Sequence, residues 1–470
     1  MKHLLSLSLL FAAVSLFAGE SAPTEMQLFE YVSWEDLVSQ SARKTIADAL
    51  DTDAARAAYA ELLKERRALE KQLEEAGIPF DRAGAVRFYM SGVKAADPQV
   101  YSELEKRIES MAKKMSPDLP PGRFPDAGQR EKRTKFLASV QEDWDWLEAH
   151  SAFPVKAPWN TETMLVSQHF RDVSLNRTLV HIWKMRIQEK AASGDVSGAL
   201  EDFRKSRVMM DLDGFLISGL LAVSCEHVRL TALSELLSRT ELTPEQLEKL
   251  DAELQEEEAL LRRVWLRAWI QESACGLDII ESFIQGTVEG LAKYRTSEGR
   301  MPLLFAIPWT REWIFLAKRN LRIIDKVRQQ EDFRPFAPDE FPKYFLLSRP
   351  MLDFDFDGAN AILFNGIAQI RAARTALRHL GLKSAEIPKD PFTGEPFHVR
   401  EGEFRESGHM VRGIRFYSAG RDGKYSDGTC MKSDLGGRKT DDRGFDLVEA
   451  EVPDRPENGD NASLSGGSQK

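Results

Sequence analysis

The sequence predicts a mainly α-helical fold, an irregular multi-helix bundle or α-solenoid with a small antiparallel β-containing module at its C-terminal end. Three observations predict it. Across residues 34–295 apolar side chains recur at three- and four-residue steps, with almost no period-two alternation. Helix start and stop signals punctuate the same region. From Pro388 the texture changes to Pro- and Gly-framed segments with alternating residues, the pattern of turns and short strands.

Taken in order, Ser33 is an N-cap for a helix opening at Trp34-Glu35-Asp36. Thr52 opens a second, with Leu62, Leu63, Leu69 and Leu73 along it and Gly77 as its stop. Further helices fit residues 97–115 and 129–150. Between them, Ser116-Pro117-Asp118-Leu119-Pro120-Pro121-Gly122 is a connection that no helix crosses. In residues 161–192, Val166, Phe170, Val173, Leu175, Leu179 and Ile182 mark a core-facing helix. Gly194-Asp195 breaks it, and residues 196–210 resume with Ala199, Leu200 and Phe203 inward. Gly194, Ala199, Phe203 and Ser206 fall at tetratricopeptide-like spacing. No copy recurs one repeat length further on, so the pattern is read as the packing of one helix pair. Leu216, Leu220, Val223, His227 and Leu230 then form a single stripe.

Thr243-Pro244-Glu245-Gln246 is the strongest helix start, because a Thr N-cap, Pro at the first helical position and Gln closing a capping box coincide. Leu247, Leu250, Leu254, Leu261, Val264 and Ala268 continue a seam toward Cys275, with a break or bend expected near Gly276. Ala306-Ile307-Pro308-Trp309 opens a basic amphipathic helix through Trp313, Phe315, Leu316, Leu321 and Ile324. It packs on the bundle or lies on a membrane surface. Pro335, Pro338, Pro342 and Pro350 punctuate an extended linker, and an Ala-rich helix occupies residues 358–380. In the tail, residues 390–397 read as a short extended run. Ile414, Phe416 and Ser418 alternate with Arg415 and Tyr417 as in a half-buried strand. Residues 454–470 hold too little apolar surface to fold. The expected division is a signal peptide (1–18), an N-terminal helical region (19–160), a central helical domain (161–333), a linker and helix (334–384), the β-containing tail (385–453) and a disordered end.

Residues 1–18 place Met1-Lys2-His3 before an apolar run ending at Ala18, followed by polar Gly19-Glu20-Ser21. That is the order of a secretory signal peptide cleaved after Ala18. A spanning helix needs about 20 apolar residues. This run is shorter, and so is the apolar stretch of residues 215–225, which Ser218 and Gly219 interrupt. The expectation is a periplasmic or extracellular product with no transmembrane span after cleavage, an uncleaved anchor being the alternative. A net charge of −10 argues against a nucleic-acid partner, which needs a basic face. Cys225 and Cys275 both lie in helical stretches. They are read as buried thiols, with one bridge between their helices as the alternative.

Asp390-Pro391 through Pro396-Phe397, paired with Tyr417-Ser418-Ala419-Gly420 and Asp422-Gly423, resembles the C-terminal segment of type II secretion pseudopilins. There an Asp-Pro-aromatic turn precedes a strand and a Ser-x-Gly-x-Asp-Gly loop. The same tail behind a long helical region is similar to exported proteins of planctomycete- and verrucomicrobial-type bacteria, a group without an assigned activity. Residues 194–237 are similar to that group too. The resemblance covers residues 388–428 and implies calcium in the loop, for which Asp422 and Asp427 are the candidates, with Asp434, Asp441 and Asp442 nearby as further oxygen ligands. A pilin also carries a long apolar helix after its cleavage site, and here Gly19-Glu20-Ser21 is polar, so a place in a pilus fibre does not follow.

Other motifs are incomplete. Asp353-Phe354-Asp355-Phe356-Asp357-Gly358 begins like an EF-hand loop, but Phe364 stands where the bidentate Glu belongs and Asn360 where an apolar residue does. His169, His181 and His227 have no metal-ligand spacing, and His227 reads as a hydrogen-bonded core residue. Ser41-Ala42-Arg43-Lys44 matches Ser-x-x-Lys without its companion motifs, and Tyr417-Ser418-Ala419-Gly420 lacks the first Gly of a nucleophile elbow. No catalytic or cofactor-binding residue is therefore assigned. The leading expectation is a non-enzymatic exported scaffold that binds a protein or envelope component. An accessory of a type II secretion or pilus-like system, docking through the tail, and a hydrolase with an unrecognised site are the alternatives.

Overall fold

Local chemistry places most helix ends. In the computed structural model, which describes residues 52–91, 97–115, 127–150, 153–156, 165–212, 214–285, 303–335, 356–382, 387–406, 409–421, 423 and 444–451, Thr52 caps α1 (Asp53–Glu75) by accepting the Ala55 N–H at 3.2 Å. Gly77, at φ +67°, lets the Ile78 N–H return to the Leu73 carbonyl at 2.8 Å, and both side chains are buried. After α2 (Arg82–Met90), Asp97 caps α3 (Pro98–Lys114), and α4 (Ala127–Ala149) follows. α5 (Leu165–Ala192) and α6 (Val196–Ser206) are separated by Gly194 and by Asp195, which caps α6. A single 3-10 turn, Arg207–Met210, leads to α7 (Leu216–Arg239) and α8 (Pro244–Ile284), whose Thr243–Gln246 capping box is complete. α9 (Leu303–Gln329) and α10 (Phe356–His379) finish the helical part. Strands β1 (His398–Glu406), β2 (His409–Tyr417) and β3 (Gly444–Glu451) form one antiparallel sheet in that order. The described residues are thus mainly helical, ten helices with a small three-stranded sheet near the C-terminus, as the sequence predicts.

α7 is the hub. It packs on α5, α6, α8, α10 and β3, while α8 packs on α2, α7, α9 and α10. α1 lies along α9, and α3 and α4 lie along α5. The stripe expected on α7 is only part of its buried surface: Leu220 and His227 are half-buried, whereas Ala222, Cys225, Leu233 and Leu236 are completely enclosed. A helix wrapped by neighbours on most sides needs apolar residues most of the way round, which a single-stripe reading misses. Among the described residues α7 is also the one helix long and apolar enough to cross a membrane by length and composition, and most of its apolar stretch is buried inside the fold.

The α8 seam is as the periodicity predicts, with Leu247, Leu250, Leu254, Leu261, Val264 and Ala268 all buried. The expected break at Gly276 does not occur. The glycine is itself buried in a continuous helix, and packing on both sides outweighs a propensity cost of about 1 kcal/mol. Cys225 and Cys275 are free and buried, with burial pushing the Cys225 thiol up to about 12 and the Cys275 thiol well above its ordinary value. α9 begins at Leu303, upstream of the expected start, and runs through Pro308, which so near the N-terminus removes little of the hydrogen-bond ladder. Its Trp313, Ile314, Leu316, Ala317, Ile323 and Ile324 are buried, and the helix packs on α8 and α1, so protein covers its apolar face.

Two expectations for the tail are corrected. Residues 390–397 form a turn closed by a Lys389–Pro396 bridge, because the Asp390 N–H donates to the Glu395 carbonyl and the Gly394 N–H to the Asp390 carbonyl, both at 2.8 Å. The end of β2, Arg415 through Tyr417, is buried on both faces. Phe416 and Leu447 of its partner β3 join the main core, and Arg415, placed on the polar face by alternation, is 0% exposed because Asp446 stands directly opposite it on β3.

Candidate functional site

The residues that carry the tail motif meet in space. Asp390, fully buried, accepts the Phe392 N–H (3.0 Å) and the Ser418 hydroxyl (2.8 Å) on Oδ1 and the Ala419 N–H (3.0 Å) on Oδ2. Ser418 Oγ in turn accepts the Gly420 N–H at 3.0 Å. The first contact is an Asx turn, which folds the Asp-Pro segment on itself. The others clamp that turn to the loop leaving β2. A buried carboxylate is tolerated only when donors replace water, and here both oxygens are supplied by the chain itself. Pro391 passes its carbonyl to the Phe333 N–H at 2.8 Å, and the Phe392 ring lies 5.2 Å from that of Phe333 and 6.4 Å from that of Phe364.

The sheet is attached to the helices by polar contacts as well. Arg415 Nε and Nη2 donate to the two oxygens of Asp446, each at 2.9 Å, and the guanidinium lies 4.2 Å from the Phe404 ring centre. The Ser234 hydroxyl of α7 donates to the Asp446 carbonyl, and one turn later Ser238 Oγ accepts the Val448 N–H at 2.8 Å. Arg371 of α10 forks onto Glu258 of α8 (2.9 and 3.1 Å), reaches Asp332 at 3.1 Å and donates to the Lys389 carbonyl at 3.1 Å, beside Asp390. Arg262 adds a 2.9 Å contact to Glu258 and donates to the Gln330 and Glu331 carbonyls. Burial pulls the Glu258 carboxyl upward, but the hydrogen bonds and charges of Arg371 and Arg262 outweigh it and the net shift is downward.

A third charged group lies deeper, between α6, α7 and α8. Arg229 is 0% exposed and donates to Glu226 Oε2 (2.6 Å), Glu257 Oε1 (2.9 Å), Ser206 Oγ (2.8 Å) and the Phe203 carbonyl (2.9 Å), with its guanidinium 4.5 Å from the Phe203 ring centre. Sequence reading missed this trio. Its legible sign was a Glu and an Arg at i,i+3 inside the most apolar helix of the chain, a placement that buries both unless the helix is exposed.

Among the described residues the remaining sequence candidates do not converge. Asp422, Asp427, Asp434, Asp441 and Asp442, the residues expected to take calcium, lie outside the described residues, as do Ala18 and Ser41 through Lys44. Asp353 and Asp355 do too, while Asp357 sits in the first turn of α10. Asn360 is buried and donates to Gln330 Oε1 at 2.9 Å, and Phe364 is a core aromatic. His227 Nδ1 lies 3.0 Å from Gln369 Nε2, in keeping with a hydrogen-bonded residue, though only half-buried. Burial, then Lys184 and Arg177, lower His181 to about 4. His169 lies in α5, and its side chain is outside the described set. Among the described residues no group of three or more His, Cys, Asp or Glu is placed to hold a metal ion. Chemically, the carboxylates of Asp390, Asp446 and Glu258 act as acceptors that join elements.

No family model matches this chain, and no curated protein or solved structure matches it.

Proposed function

We propose that the protein is an exported, non-enzymatic helical scaffold that binds a protein or envelope component and holds its C-terminal module in a fixed pose. The observation that carries this reading is the Asp390 clamp. The residues of the tail that look most like a chemical motif are spent on one another, and Arg371 of α10 ties them to Glu258 of α8. Export rests on the charge, apolar run and small residue of residues 1–18. Full-length protein expressed in a Gram-negative host is expected in the periplasmic fraction or medium with a mature N-terminus at Gly19. Unprocessed protein confined to the cytoplasm overturns export.

One observation favours the second reading, docking of the tail on a secretion or pilus-like system. Among the described residues the exposed large apolar side chains are Leu380 (39%), Ile387 (58%) and Val399 (51%), at or beyond the end of α10. Crosslinking of the mature protein in envelope preparations, compared with an Ile387→Glu, Val399→Glu variant, separates the two. Loss of the crosslinked partner at an unchanged melting midpoint supports docking through the tail. Retention of the partner supports a scaffold that binds through its helical surface.

A further inference from the structure

The Arg229 trio holds two carboxyl groups against one guanidinium in a space closed to water. Glu226 and Glu257 are 0% and 1% exposed, and each gives one oxygen to Arg229. The remaining oxygens, Glu226 Oε1 and Glu257 Oε2, are buried with no hydrogen-bond donor among the described residues. Two carboxylates facing each other across one positive charge leave a net negative charge in the core. A single proton bridging the carboxyl groups removes that charge and satisfies the orphan oxygens together.

We propose that Glu226 and Glu257 share one proton, so that the α6–α7–α8 junction is a proton-locked joint that loosens when the proton is withdrawn. Burial and the neighbouring Glu257 push Glu226 up to about 8, against the opposing pull of Arg229. Other charges on the packed elements have partners of their own, and Glu272 of α8, raised by its burial, accepts the Leu216 N–H at 3.3 Å. Arg204 meets Glu253 and Arg207 meets Glu256 between the α6 segment and α8. Lys190 and Arg186 of α5 meet Asp202, Arg374 of α10 meets Asp251, and Asp446 on β3 meets Arg415. Glu235, further along α7, is held by Gln188 and Arg239. Glu257 and Arg229 are thus the groups that set the state of Glu226.

A carboxyl whose folded pKa is raised from 4.5 to about 8 keeps its proton in the folded chain while the unfolded chain has lost it. Its stabilising contribution is full below 4.5, declines between the two values and is gone above about 8. Because Glu226 and Arg229 belong to the hub helix itself, whose Ser234 and Ser238 seat the sheet, loosening of the joint reaches that surface.

The test is chemical unfolding of the full mature chain from pH 4.5 to 9 beside Glu226→Gln, whose amide mimics the protonated acid. The folding constant of the wild type relative to E226Q is expected to fall by about tenfold per pH unit between 4.5 and 8 and then level. His181 titrates in both proteins and cancels. Parallel curves through this window overturn the proposal. Glu257→Gln removes the like charge but leaves the burial of Glu226, so it must lower the upper end of the window and weaken the response, and it decides the matter if E226Q does not fold. In the infrared, a protonated buried carboxyl that titrates near pH 8 must be present in the wild type and missing from the foldable variant. Its presence in both overturns the shared proton.

Discussion

Asp390 and Ser418, 28 positions apart, are joined by a 2.8 Å hydrogen bond in a site closed to solvent. The bond turns two short sequence motifs into one clamp, and it makes the C-terminal module continuous with the helical body, because Lys389 and Pro391 on either side of Asp390 bind Arg371 and Phe333.

Replacing Asp390 by Ala leaves the Phe392 and Ala419 N–H groups and the Ser418 hydroxyl without their acceptor. A loss of about 3 kcal/mol or more is expected in denaturant unfolding. Ser418→Ala is milder, about 1–2 kcal/mol. The double variant is expected to lose less than the sum, by about 1 kcal/mol, since both changes remove the same contact.

Arg415 and Asp446 are both fully enclosed and bind each other through two parallel hydrogen bonds. Arg415→Met strands a buried carboxylate and is expected to cost about 3–5 kcal/mol. Combining it with Asp446→Leu is expected to restore most of the melting midpoint, because the desolvation cost of both charges disappears together. A double variant no better than R415M would contradict this account.

Arg371→Lys keeps the charge but loses the planar fork on Glu258 and the simultaneous reach to Asp332 and the Lys389 carbonyl, a change expected to cost about 1–2 kcal/mol. The Glu258 carboxyl sits below its ordinary value. Its contribution is therefore present above the unfolded carboxylate range and is lost as pH falls through the folded value. Glu258→Gln is expected to flatten that acid-side loss while lowering stability at neutral pH, which unfolding midpoints measured from pH 3 to 7 check.

Gly219, in the first turns of α7, lies where a Cβ would stand 2.9 Å from Trp265 Cε3 and 3.3 Å from the Ala268 Cβ of α8. Gly219→Ala should gain about 1 kcal/mol of helix propensity. The enforced separation of the two helices is expected to outweigh it, with a net loss of about 1–2 kcal/mol in thermal unfolding. A rise in midpoint would mean that α7 and α8 yield at this crossing.

Much of the helical order was legible in the chain because its signals are local. The Thr243 capping box, the helix start at Thr52, the break at Gly194-Asp195 and the stop at Gly77 each use a handful of consecutive residues, and the α8 seam repeats the helical period. The reading failed where a neighbour far away in sequence changes what a residue means. Gly276 looks like a break until both sides of its helix are packed, and Ser218-Gly219 looks like an interruption until α8 crosses there. The tail motif was visible as a pattern, but that its Asp and Ser serve each other follows only from the turn being folded onto the end of β2.

Helix content and the presence of a small β-containing tail are what the sequence by itself determined, and export is what it leads one to expect, since all three are read from composition and short-range spacing. Which charges are buried was decided by the tertiary structure alone. Arg229 finds Glu257 on the following helix, Arg415 finds Asp446 on the next strand, and Ser234 finds the Asp446 carbonyl 212 positions on. A charged side chain carries the same letters on a solvated face and in a core. Only the elements packed around it set the cost of its charge, and with it the partner it must have and the proton it keeps.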